Sequence, residues 1–224
     1  MLSAILFDLD GTLVDSEPLH YKAWCETLRN YGLEINEEFY KINIIGGINS
    51  QVIRNIFPSM SYEEREKFAD QKETRFRQLA VEELKPLDGL SKLLMWTQKL
   101  GLKRAVVTNS PRKNAILTLE ILGLSNFFNV VVVGGEAVAP KPHPAPYRQA
   151  LDYLGMIPES TIAFEDSLTG ISSSVGAGIY TIGVASSQSP DHLCQAGAKI
   201  SIPDFNSQLL WELLDSSSRV SIRR

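Results

Sequence analysis

The stretch Ala4-Ile5-Leu6-Phe7-Asp8-Leu9-Asp10-Gly11-Thr12 carries the reading of this chain. Residues 4–9 are apolar at nearly every position, and two aspartates with an Asp-Gly turn signal close the run. A strand with one solvated face alternates apolar and polar residues. A nearly continuous apolar run suits a strand buried on both faces, as in a parallel sheet. Four more such runs lie at residues 103–107, 130–133, 161–164 and 180–184. Helical patterns separate them. Ser110-Pro111 precedes residues 112–122, with Gly123 as a stop, and Pro144 precedes residues 145–154, with Gly155 as a stop. Strands alternating with helices give βαβ units, so the expected fold is α/β: a doubly wound, mostly parallel, Rossmann-like sheet.

Residues 16–84 interrupt this alternation. They contain no convincing buried strand but four amphipathic patterns, at 17–31, 37–45, 50–57 and 62–84. The α/β pattern resumes after Lys85-Pro86-Leu87-Asp88-Gly89. The expected organisation is a core of residues 1–15 and 85–224 with an all-helical insertion, residues 16–84, after the first strand. Two sequential domains would instead leave the first strand alone, its edges unpaired. Residues 216–224 read as a frayed tail.

The chain has 224 residues, 44% of them hydrophobic and 21% charged, which excludes disorder, collagen and coiled coil for the whole chain. Lys and Arg number 22 against 26 Asp and Glu, a net charge of −4 with no long basic run, so nucleic acid is not the expected partner. Cys25 and Cys194 lie too far apart in sequence for a CxxC pair and suit reduced thiols in the cytoplasm. The first residues read as a strand and not as a signal peptide, and no stretch approaches the ~18 apolar residues of a membrane span. A soluble cytoplasmic monomer without membrane contact is expected.

Four clusters carry chemistry, and each follows an expected strand. Asp8 and Asp10 end the first. Thr108-Asn109-Ser110 ends the second, where Ser110 alone could serve as a helix cap. Lys141 lies in the stiff Pro140-Lys141-Pro142-His143-Pro144 loop, just before a helix whose macrodipole opposes a cation unless an anion shares the spot. Glu165-Asp166-Ser167 ends another strand, and a cap role for Asp166 or Ser167 would leave the remaining carboxylate unexplained. Ligands of open α/β sheets bind outside the carboxyl ends of the strands, so the clusters are expected on one rim. Carboxylates converging there would be held ionised by a divalent cation, and oxygen-only ligands favour Mg²⁺ over zinc. Carboxylates, a hydroxyl, a lysine and Mg²⁺ together suit a phosphate monoester attacked by a carboxylate.

Asp8-x-Asp10-Gly11-Thr12-Leu13, Thr108-Asn109, Lys141-Pro142 and Glu165-Asp166 resemble, in order and spacing, the four motifs of the haloacid dehalogenase superfamily. The resemblance extends to about residue 215, and the helical insertion is similar to that superfamily's small α-helical cap. Within it the chain is most similar to the β-phosphoglucomutase-like sugar-phosphate phosphatases. The resemblance implies Asp8 as nucleophile and Asp10 as the acid and base for the leaving alcohol and the hydrolytic water. It implies Mg²⁺ held by Asp8, the Asp10 carbonyl and Asp166, with Glu165 a ligand or just behind one. Thr108 and Lys141 would bind the transferring phosphoryl group, with Asn109 assisting. True dehalogenases lack the second aspartate, so Asp10 argues for phosphotransfer.

The same resemblance implies cap residues that face a small phosphorylated metabolite: His20, Gly46 and Gly47 with Asn49, and Lys72. From the residues alone, His20 and Lys72 read as ordinary helix-face residues. The mutases carry an arginine in the loop after the cap glycine, where it grips a second phosphate; here Asn49 stands at or next to that position. A phosphatase is therefore favoured over a β-phosphoglucomutase-type isomerase, and both over a catalytically silent phosphate-binding module. Residues 15–17 and 84–89 would be the hinges of a lid.

Overall fold

In the computed structural model, described for residues 1–45 and 47–219 with side chains to residue 215, the chain divides into two compact units. One comprises Met1–Asp15 and Lys85–Arg224, the other Ser16–Leu84. The first is a six-stranded sheet of β1 (Ala4–Phe7), β2 (Lys103–Thr108), β3 (Val130–Val133), β4 (Thr161–Glu165), β5 (Tyr180–Val184) and β6 (Ile200–Ile202). All neighbouring strands are parallel, in the order β3-β2-β1-β4-β5-β6. The order reverses at β1, which pairs with β2 on one side and β4 on the other.

Alternate residues of β1 supply two cores, which is why its run is apolar throughout. Ile5 and Phe7 join Val106, Phe164 and Ile182 under α5 (Leu90–Lys99), α6 (Arg112–Ile121) and α10 (Gln208–Arg219). Ala4 and Leu6 join Ala105, Val107 and Ala163 under α7 (Ala145–Leu154). Helices α8 (Leu168–Gly176) and α9 (Pro190–Gln195) contribute Ile171 and Leu193 to a smaller cluster. The sheet is thus doubly wound, as the alternation of elements predicts.

Several boundaries differ from the sequence reading. β1 stops at Phe7 because the Leu9 carbonyl accepts the Leu13 N–H at 2.8 Å, closing a turn that the apolar run conceals. β2 and β4 run one residue further than expected, so Thr108 and Glu165 are themselves strand residues. β6 was not expected at all. The expected frayed tail is helical through Arg219, and residues 220–224 lie outside the described residues.

The second unit is helical: α1 (Glu17–Asn30), α2 (Glu37–Asn43), α3 (Asn49–Ile56) and α4 (Tyr62–Glu83). It has its own core of Trp24, Leu28, Tyr40, Ile44, Val52, Ile53 and Phe68. Helix α4 starts with a full capping box: Ser61 accepts the Glu64 N–H at 3.2 Å, and the Glu64 carboxylate accepts the Ser61 N–H at 2.7 Å. Helix α3 begins at Asn49, one residue before the expected start, so Asn49 belongs to the helix and not to the loop. Gly46 lies outside the described residues. No helix among the described residues is long and apolar enough to cross a membrane.

Candidate active site

The carboxyl ends of β2, β1 and β4, neighbours in the sheet, carry Thr108, Asp8 and Glu165-Asp166, and the segment after β3 carries Lys141. Asp8 is the first residue past β1, its N–H held by the Phe164 carbonyl at 2.9 Å. The turn that follows needs glycine at position 11. Gly11 has φ of 73°, and a Cβ there would stand 2.2 Å from Asp166 Oδ2. The glycine lets the first acidic loop lie directly against the second.

Lys141 is the centre of the arrangement. Only 3% exposed, it donates to Asp8 Oδ1 at 2.6 Å and to Glu165 Oε1 at 2.5 Å. It is not a solvated loop lysine, and the anions beside it are protein carboxylates. Burial opposes its charge, but Asp8 and Glu165 more than compensate and hold its pKa above the ordinary lysine value. Asp8, Glu165 and Asp166 each place a carboxylate oxygen within 4.8 Å of the others, all three buried. Three carboxylates against one ammonium leave unbalanced negative charge in a poorly solvated place. Burial first, then the Glu165 and Asp10 charges against the opposing Lys141, pushes Asp8 up to about 8. Burial, with the charges of Asp8 and Glu165, likewise pushes Asp166 well above the usual carboxylate range. An all-oxygen, anionic, closely spaced donor set of this kind fits a hard divalent cation such as Mg²⁺.

Asp10 is not part of that trio. Its carboxylate accepts the Ser110 hydroxyl. Ser110 therefore does not act as the helix cap suggested by its position; the N-cap of α6 is Pro111, without a side-chain hydrogen bond. Nor is Thr108 uncommitted. Its Oγ1 accepts the Ser110 N–H at 2.9 Å, while its own O–H remains a donor. Asn109 is tied up as well: its amide donates to the Lys141 carbonyl and accepts the Lys141 N–H, both at 3.1 Å. It fastens the lysine loop to β2, which is a different task from assisting phosphate directly. Ser167 caps α8, accepting the Gly170 N–H at 3.0 Å.

Three residues at this rim escaped the sequence reading. Tyr147 donates to Glu165 Oε1 at 2.6 Å. Ser187 donates to Asp166 Oδ2 at 2.6 Å, and Ser186 to the Gly11 carbonyl at 2.5 Å. The only sequence signal for the serines is that they follow a buried strand, like the other clusters.

Within the helical unit, His20, Asn49 and Lys72 meet around a residue that was not expected, Glu73. Lys72 Nζ lies 2.9 Å from Glu73 Oε1 and 3.0 Å from His20 Nδ1, and Asn49 donates to the same Glu73 oxygen at 2.5 Å. The His20 ring stacks on Phe76 with centroids 4.0 Å apart. Gly47 is exposed, its N–H on the Ile44 carbonyl at 3.0 Å.

Residues 5–184 match the family described as haloacid dehalogenase-like hydrolases. The chain belongs to that family. The phosphorylated carbohydrates phosphatase of Thermotoga maritima is 30% identical over 182 residues, which is 81% of this chain and 84% of that protein. A family IA haloacid dehalogenase-type hydrolase of Entamoeba histolytica is 30% identical, with a TM-score of 0.84 over 92% of this chain and 94% of its own. The β-phosphoglucomutase of Clostridium difficile is 27% identical, with a TM-score of 0.83 over 100% of both chains.

Proposed function

We propose that this chain is a phosphoric monoester hydrolase: an Mg²⁺-dependent phosphatase of small sugar or polyol phosphates that works through an aspartyl-phosphate. The observation that carries the reading is the buried trio Asp8, Glu165 and Asp166 joined by Lys141 at the carboxyl end of the central strand. In this reading Asp8 attacks phosphorus while Lys141 and the Thr108 hydroxyl hold the phosphoryl oxygens. The bond from phosphorus to the leaving oxygen breaks as Asp10 gives that oxygen its proton. Asp10 then takes a proton from the water that attacks phosphorus, the bond from phosphorus to the Asp8 oxygen breaks, and inorganic phosphate is released with the Asp8 carboxylate restored. Asp8, Asp166 and the Asp10 carbonyl would hold Mg²⁺, with Glu165 a further ligand or just behind one, and the ion when bound would neutralise phosphoryl charge that Lys141 alone cannot.

The helical unit would serve as a cap that selects the substrate, with His20, Asn49, Gly47 and Lys72 as its contacts. The likeness to a mutase keeps a β-phosphoglucomutase-type isomerase as the second reading. Against it stands Asn49, which cannot clamp a second phosphate as a guanidinium does and whose amide is engaged by the Glu73 carboxylate. The test is phosphate release from a panel of phosphorylated metabolites, with and without Mg²⁺. The expected outcome is Mg²⁺-dependent release from sugar or polyol monophosphates, lost on Asp8→Asn. Conversion of β-glucose 1-phosphate to the 6-phosphate faster than phosphate release would favour the isomerase. Undiminished release by the Asp8→Asn variant would falsify the nucleophile assignment.

A further inference from the structure

The helical unit holds a charged cluster of its own, built by α1, α3 and α4 from His20, Asn49, Lys72 and Glu73. The Lys72 ammonium donates to Glu73 Oε1 at 2.9 Å and stands 3.0 Å from His20 Nδ1. The Trp24 and Phe76 ring centroids lie 5.5 and 5.8 Å from it, close enough for cation–π contacts. Asn49 donates to the same Glu73 oxygen at 2.5 Å. Lys72 and Glu73 are buried, while His20 and Asn49 are only half-buried and are the members a ligand reaches first.

An isolated buried ammonium would attract any anion, because its field is weakly screened. Glu73 cancels that attraction. One ammonium and one carboxylate 2.9 Å apart leave the pair without net charge, so the cluster offers hydrogen bonds in place of a positive field. Burial pushes the Glu73 carboxyl up, but its charged and hydrogen-bonded partners outweigh burial and keep it ionised at neutral pH. The cluster also mixes donors and an acceptor. Lys72 and Asn49 donate, and Glu73 accepts. A hydroxyl group both donates and accepts, so it suits either kind. A phosphate or a carboxylate only accepts, and Glu73 repels it as it approaches Lys72 and Asn49.

We infer that Glu73 sets the substrate class: it restricts the chain to monophosphates whose remainder is an uncharged sugar or polyol, and it rejects esters that carry a second phosphate or a carboxylate. The inference rests on the phosphatase reading above, with the helical unit as the cap, and its test separates the two. Specificity of this kind comes from an unfavourable contact with the wrong substrate as much as from a favourable one with the right substrate. Matched pairs expose it. With the full chain and Mg²⁺, fructose 1-phosphate is compared with fructose 1,6-bisphosphate, and glucose 6-phosphate with glucose 1,6-bisphosphate.

The wild type should show kcat/KM about ten- to a hundredfold higher for the monophosphate of a pair. Glu73→Gln keeps the shape and an oxygen acceptor for Lys72 but removes the negative charge. It should narrow that ratio about tenfold, chiefly through a lower KM for the bisphosphate. Damage to the fold alone would weaken both substrates together and leave the ratio as it was. Lys72→Met combined with Glu73→Gln removes both charges and should hold the ratio within about threefold of the wild type. Three results would overturn the inference: a wild type equally active on both members of each pair, an unchanged ratio in Glu73→Gln, or a ratio that collapses as far in the double variant. The first of these needs no variant, so the inference stays open to refutation even if Glu73→Gln does not fold. A wild type that releases phosphate from no monoester defeats the phosphatase reading. Calorimetric titration with the same four compounds then reads the discrimination as Kd, and equal affinities within each pair overturn it.

Discussion

Ser187 donates to Asp166 Oδ2 at 2.6 Å and has the Asp166 carbonyl 3.2 Å away, so one hydroxyl both orients this carboxylate and favours its ionised form. Partners of this kind behind a metal ligand matter about 10–100-fold for metal affinity. Ser187→Ala should therefore weaken Mg²⁺ by that factor, read as the Mg²⁺ concentration for half-maximal phosphate release and as a calorimetric Kd. An unchanged Kd would mean that the sheet and helix ends alone hold Asp166. Ser187 and Tyr147 also mark the limit of what the sequence makes visible at this scale. Asp8, Thr108 and Glu165-Asp166 end buried strands, where hydrophobicity switches abruptly to chemistry, and the structure brings them to one rim together with Lys141. Tyr147 lies inside an amphipathic helix among core residues, and nothing in its neighbours distinguishes a phenol that meets a carboxylate from an aromatic ring that fills space. Ser110 misled for a related reason. Its type suits a helix start, and only the tertiary fold decides that it meets Asp10, just as only the fold shows Asn109 fastening the lysine loop.

Helix α4 shows how an element places a polar group in its own unit's interior. It buries Phe68, Phe76, Leu79 and Ala80, yet Lys72 is 2% exposed on the same helix, paired with Glu73 and 5.5 Å from the Trp24 ring centroid. Burial pushes Glu73 up, but the Lys72 and His20 charges and the Lys72 and Asn49 hydrogen bonds outweigh it and hold its carboxyl below the ordinary value. A depressed carboxylate stabilises the fold above its unfolded pKa, and that contribution is lost as pH falls through the lower folded value. Lys72→Met strands the Glu73 charge and should cost about 3–5 kcal/mol in urea unfolding, much of it recovered in the double variant with Glu73→Gln. Equal stability of wild type and Lys72→Met would contradict the pairing. The stretch reads from sequence as a solvated charged face because adjacent residues 72 and 73 sit in a run of alternating charge. Which of those charges turns inward depends on the aromatic residues of α1. At the same scale the long apolar runs were legible as strands because burial on both faces removes every polar residue. Three-residue β6, with Ser201 between two isoleucines, is too short to show any period.

For the whole molecule, the formal charge of −4 matters less than where a few of its carboxylates stand. Asp8 in the metal-free protein is pushed to about 8, against 3.8 for an ordinary aspartate, and Asp166 is pushed in the same direction. Between those two values the folded chain holds a proton that the unfolded chain has released. Folding stability of the metal-free protein should therefore fall as pH rises from about 4 to about 8, because a raised carboxylate pKa makes the native state the better proton binder. A divalent cation reverses the balance by favouring the ionised carboxylates and expelling that proton. Calorimetric titration with Mg²⁺ at pH 7, repeated in buffers of different ionisation enthalpy, should show protons released as the ion binds, fewer of them above about pH 9 where Asp8 is already ionised. At about 100 times its Kd the ion should stabilise the fold by about 2.7 kcal/mol, and the rise in Tm at a fixed Mg²⁺ concentration should be larger at pH 8 than at pH 5, where protons compete for the same oxygens. Asp8→Asn should diminish the proton release, since an amide at that position neither titrates nor repels its neighbours. Binding without proton release would mean that the carboxylates are already ionised in the metal-free chain, with Lys141 alone balancing them.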